Sequence, residues 1–121
     1  MITYTLDRKR RILIVQPEGK LEAQDFTRLA SEVDPFIAES GALAGLLIEA
    51  EAFPGWKDFA ALVSHLRFVK NHHAKIAKVA AVTDSGFLAI LPTVADHFLA
   101  AEIKHFPYQE KQAALNWLQT P

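Results

Sequence analysis

Ile2, Tyr4 and Leu6 alternate with Thr3, Thr5 and Asp7, the period-two pattern of a strand with one wet face. Ile12-Leu13-Ile14-Val15 predicts a second strand, ended by Pro17 and Gly19. Between the two lies the basic run Arg8-Lys9-Arg10-Arg11, which reads as the turn of a hairpin. From Glu22 the period lengthens: Phe26, Leu29, Ala30, Val33 and Ile37 recur at helical spacing, and Gly41 is the expected stop. Pro35 removes a backbone donor, so this helix is expected to bend or to split off its last turn.

The run Leu46-Leu47-Ile48 within residues 43–51 suits a buried strand. A second helix is expected from Trp56 or Lys57 to His72, with Phe59, Leu62, Val63, Leu66 and Val69 on one side. Lys78-Val79-Ala80-Ala81-Val82-Thr83 predicts a fourth strand, and Asp84 or Ser85 is placed to cap the helical segment after it. That segment, residues 86–98, is helical in pattern but carries Pro92 near its middle, so it is expected to be kinked or to form two short pieces. Residues 102–106 predict a last strand. Residues 109–119 predict a closing helix whose apolar side is Ala113, Ala114, Leu115, Trp117 and Leu118. After the hairpin, strands alternate with helices, which implies right-handed crossovers and a mixed, mostly parallel five-stranded sheet with about four helices. No repeat, low-complexity tract or linker interrupts the chain, and residues 1–121 read as one α/β domain.

Composition narrows the function classes. Half of the residues are hydrophobic and 22% are charged, so the chain has the makings of a packed core. Thirteen Lys and Arg against fourteen Asp and Glu leave a net charge of −1, which argues against nucleic acid as a partner. The basic run at residues 8–11 reads as a solvated loop tip, with a phosphate or partner contact as the sharper alternative. The absence of cysteine excludes disulfides, thiolate metal sites and a thiol nucleophile, and fits a reducing compartment. The start of the chain lacks the features of a signal peptide, and no apolar run approaches the ~20 residues of a transmembrane span. A cytoplasmic location is the expectation.

Residues able to do chemistry are scattered. His65 and His72 are two helical turns apart, His72 and His73 diverge, and His97 and His105 lie in other elements, so no metal site is expected. None of Ser31, Ser40, Ser64 and Ser85 sits in a Gly-x-Ser-x-Gly turn, and Gly55 and Gly86 stand alone rather than in a phosphate-cradling loop. Glu49, Glu51 and Asp84 come near the same sheet edge, where paired carboxylates are a minor hydrolytic candidate. No catalytic residue and no cofactor is assigned.

Four blocks carry a family resemblance: Phe53-Pro54-Gly55-Trp56-Lys57-Asp58, Ala80-Ala81-Val82-Thr83-Asp84, Ala101-Glu102-Ile103-Lys104-His105-Phe106, and Glu110 with Ala113, Ala114, Trp117 and Leu118. In this order and at these spacings the chain resembles the SpoIIAA-like family, related in fold to the STAS module of anti-sigma-factor antagonists. The resemblance implies a four-turn βα superhelix. Through likeness to the CRAL-TRIO lipid-transfer fold, it also implies a carrier of apolar ligands beneath a mobile helical lid. Fold likeness by itself does not fix function. The switch serine of anti-sigma-factor antagonists is missing: the turn after the third strand reads Glu51-Ala52-Phe53-Pro54-Gly55-Trp56, without a hydroxyl.

In open parallel sheets ligands lie beyond the carboxyl ends of the strands. Phe53, Trp56 and Phe87 fall there, with Tyr108 farther round, so this edge is expected to be greasy. Residues 86–98 are apolar nearly all round, which makes the segment core packing, a cover over an apolar cavity, or a docking face. Phe53, Trp56, Phe59, Val63, Phe87, Leu88, Leu91 and Phe98 are the expected lining for an apolar, lipid-like small molecule. On a helical wheel Phe68 points away from the sheet, toward a partner surface. The first functional expectation is therefore a non-enzymatic carrier or sensor. The second is an interaction module that forms a homodimer or docks on a regulatory protein.

Overall fold

The computed structural model describes residues 2–17, 23–41, 43–51, 76–84 and 102–120. Strands β1 (Ile2–Asp7) and β2 (Ile12–Pro17) form the expected antiparallel hairpin, with Tyr4 opposite Val15 and Leu6 opposite Leu13. The basic run is its turn. The Asp7 carboxylate receives the backbone N–H of Arg10 at 3.0 Å and lies 3.7 Å from Arg10 Nε, which ties the loop to the strand that enters it. Arg11 leaves the turn at φ 59°.

Strands β3 (Leu43–Glu49), β4 (Ile76–Val82) and β5 (Glu102–Phe106) add to β2 in parallel, giving the order β1-β2-β3-β4-β5. The predicted mixed sheet of five strands is thus present. Boundaries differ from expectation: β2 runs on to Pro17, β3 ends at Glu49 rather than Glu51, and β4 spans Ile76–Val82, starting two residues before Lys78 and stopping short of Thr83. Lys78 therefore lies inside a strand, where it is buried.

The pleat sorts the sheet into two faces. Ile12, Leu47, Ala80, Val82 and Phe106 lie on one face and pack with Ala114 and Leu118 of the closing helix α2 (Lys111–Leu118). Leu13, Val15, Leu46, Val79 and Ala81 are buried on the other. Helix α1 (Ala23–Ser40) meets that second face at β1, where the Tyr4 hydroxyl donates to the Glu32 carboxylate and the Arg8 guanidinium lies 5.6 Å above the Phe36 ring. Its buried stripe is Leu29, Val33, Phe36 and Ile37. Each large apolar side chain so withdrawn from water contributes about 1.5–3 kcal/mol.

Pro35 does not split α1. The helix runs on to Ser40, and Gly41 at φ 90° ends it, its N–H bonded to the Ile37 carbonyl at 2.7 Å. Pro35 and Ser31, whose carbonyl would have received the missing N–H, are both exposed, so the gap in the ladder falls toward water. The closing helix also starts differently: Tyr108–Glu110 form a 3-10 turn before α2, and Ala113 is exposed rather than part of the apolar side. The described residues hold these two α-helices. The helices expected at residues 56–72 and 86–98 lie outside the described residues.

Candidate functional site

The carboxyl ends of β3, β4 and β5 meet at one rim. Two hydrogen bonds extend the ladders past the strands, Ala50 N–H to the Val82 carbonyl at 3.0 Å and Thr83 N–H to the Phe106 carbonyl at 3.1 Å. They set Glu51 and the pair Thr83 and Asp84 beside the chain that leaves β5. Together with His105, Tyr108 and Gln109 these residues line a hollow of about 370 Å³.

His105 is fixed within that hollow. Its Nε2 lies 3.0 Å from both the Thr83 and the Asp84 carbonyl, so the ring carries its proton there and donates it to both oxygens. That proton is committed to backbone acceptors. Thr83 is 3% exposed, and its Oγ1 has no hydrogen-bond partner among the described residues. A buried hydroxyl in this state costs free energy that a bound group could recover.

Glu49 stands just behind the rim, on the α2 side. Its side chain is 11% exposed and receives Gln16 Nε2 at 2.5 Å and Lys111 Nζ at 3.4 Å, which ties β2, β3 and α2 together. The expected grouping of carboxylates is found, but with divided roles: Glu49 braces the fold, while Glu51 and Asp84 face the hollow. No group of three His, Cys, Asp or Glu residues able to hold a metal ion occurs among the described residues.

Tyr108 sits on the rim as expected, 36% exposed. Beside it the described lining is mixed, with Pro107 and the Tyr108 ring among Glu51, Thr83, Asp84, His105 and Gln109. Phe53, Trp56, Phe59, Val63, Phe68, Ser85, Phe87, Leu88, Leu91 and Phe98 lie outside the described residues. Thr83 and His105 were not singled out as site residues by the sequence. The signal that could have found them was alternation in β5, where Phe106 faces α2 and His105 must face the other way, one residue from the strand end.

A family model, SpoIIAA-like, matches residues 12–119. The chain belongs to the SpoIIAA-like family. The match opens on the first residue of β2 and runs through α2, so it takes in the whole parallel part of the sheet and leaves β1 outside. Comparisons with curated proteins and with solved structures gave no match. In this SpoIIAA-like chain the sequence stretch 51–56 that lacks a hydroxyl begins at Glu51, which lines the hollow.

Proposed function

We propose that this SpoIIAA-like chain is a non-enzymatic interaction module that docks a regulatory protein on the carboxyl-terminal rim of its sheet. Family membership supports this reading, since STAS-type domains generally work as binding or regulatory modules. The observation that carries it is the rim itself. Glu51, Asp84, Tyr108 and Gln109 offer acceptors, an amide and a phenol ring around a shallow hollow, while the His105 Nε2 proton is held by two backbone carbonyls. Such a surface is built for hydrogen-bonded recognition more than for proton transfer. The turn at Glu51 has no serine or threonine, so docking in this chain is not gated by phosphorylation of that turn. One domain acting in the cytoplasm belongs to the same reading.

Site-directed photo-crosslinking in cells tests it. A photoreactive phenylalanine at Tyr108 is expected to give a discrete protein adduct, absent when the same probe replaces Thr5 on exposed β1. Equal labelling from both positions, or none from Tyr108, would remove the reading. The carrier alternative is motivated by the apolar sequence of residues 86–98 and takes Phe53, Trp56, Phe59, Val63, Phe87, Leu88, Leu91 and Phe98 as its lining. Native mass spectrometry with Trp56→Ala as control distinguishes it: a lipid-mass adduct lost in the variant would favour the carrier. Light scattering at high concentration addresses the homodimer version.

A further inference from the structure

The opposite edge of the sheet holds a larger hollow, about 620 Å³, of the size small-molecule sites occupy. The turn residues Lys9, Arg10 and Arg11 form one wall, and Gln119 and Thr120 after α2 form another. Its floor is the apolar start of β3 and β4 with Leu118. Four cations line it and, among the described residues, no carboxylate does.

The four cations are not equivalent. Arg10 is turned to Asp7, 3.7 Å from Nε to the carboxylate. The Lys78 ammonium is taken up by the end of α2, donating to the Trp117 and Thr120 carbonyls and to the Thr120 hydroxyl at 3.2, 2.7 and 2.5 Å. Lys9 and Arg11 have no carboxylate partner among the described residues, and both are exposed. Two uncompensated positive charges at the mouth of a concave, partly apolar hollow concentrate potential there, whatever the net charge of the chain.

The backbone at Arg11 points the same way. Its φ of 59° lies in the left-handed region, which glycine enters freely and an arginine only at a cost. The conformation is pinned, because the Arg11 carbonyl receives the N–H of Ala44 at 2.8 Å. A guanidinium is thus held at the mouth of the hollow at a position where glycine would make the easier hairpin.

We propose that this hollow binds a small phosphate-bearing molecule, with Lys9 and the Arg11 fork gripping the phosphate and the apolar floor receiving the rest. A phosphate dianion matches two free cations, and a guanidinium meets its oxygens in bidentate fashion. The site is separate from the carboxyl-terminal rim and independent of the docking reading.

Amide NMR titration of the full chain tests it, with inorganic pyrophosphate and glycerol 3-phosphate as probes. Saturable shifts are expected at Lys9, Arg11 and Gln119, with binding at least about tenfold weaker in Lys9→Ser/Arg11→Gly. That double variant is expected to melt no lower than the parent, since glycine suits the φ of 59° at position 11 and Lys9 is exposed, so its loss of binding is not loss of fold. Arg10→Gln, which removes a cation already paired with Asp7, should bind nearly as the parent does. Absence of saturation in the millimolar range, equal binding by the double variant, or an equal loss in Arg10→Gln would each overturn the site. Capture by phosphatidic acid vesicles without pyrophosphate binding would overturn it too, and would assign the basic turn to a lipid surface.

Discussion

Leu118 rests directly on the backbone of Gly45. A β-carbon at Gly45 would lie 2.7 Å from Leu118 Cδ2 and 3.2 Å from Leu118 Cβ, and Leu118 is itself 2% exposed. The closing helix can therefore approach the middle of the sheet only because position 45 has no side chain. Gly45→Ala is expected to push α2 outward and to destabilise the fold by about 1–3 kcal/mol. Urea unfolding followed by circular dichroism measures this, and an unchanged midpoint would show that α2 adjusts without cost.

Lys78 closes the same helix from below. Three oxygen acceptors at the end of α2 receive its ammonium, which also lies 5.2 Å from the centre of the Trp117 ring. A cation at a helix carboxyl terminus is favourable, and hydrogen bonds from charged donors are the strong ones. Lys78→Met keeps the stem and deletes the charge, and should cost about 2 kcal/mol. Amide exchange at residues 117–120 should rise along with that loss; exchange left unchanged there would argue against the cap.

Thr83 carries a buried hydroxyl without a partner among the described residues. Thr83→Val preserves the shape and removes the polar atom. Stability is expected to rise by up to about 1 kcal/mol, read as a higher melting temperature. A lower one would mean that the hydroxyl is satisfied in solution.

Tyr4 couples β1 to α1 and makes one part of the stability sensitive to alkali. Its hydroxyl donates to Glu32, and that hydrogen bond, followed by burial and the nearby carboxylate charge, raises the phenol above its ordinary value of 10.0. Folding therefore favours the protonated phenol. The associated stability is fully present below pH 10, the ordinary value, and is lost as the pH climbs through the raised one. Tyr4→Phe should flatten that alkaline decline in denaturation midpoints measured across the range; an identical decline in the variant would place its source elsewhere.

Much of the architecture was legible in local pattern. Alternation in Ile2, Tyr4 and Leu6, the run Ile12 to Val15, and the helical spacing of Leu29, Val33 and Ile37 are each produced by a chain that must bury one side of a regular element. The hairpin turn at residues 8–11 and the mixed, mostly parallel pairing came from the same reasoning. Pro35 misled because local chemistry predicts a break, whereas the packed stripe on the other side of α1 holds the helix through it.

The sequence by itself determined the five strands, the helices at residues 23–40 and 111–118 and the mixed sheet, since periodicity and turn chemistry act over a few residues. Only the tertiary structure decided that Lys78 caps a helix end about 40 residues on, that Glu49 reaches Lys111 across 62, and that Thr83 and His105 share one rim. These pairings join residues far apart along the chain: the packing of α2 on the sheet brings Lys78 and Glu49 to their partners, and the parallel register of β4 and β5 brings Thr83 to His105.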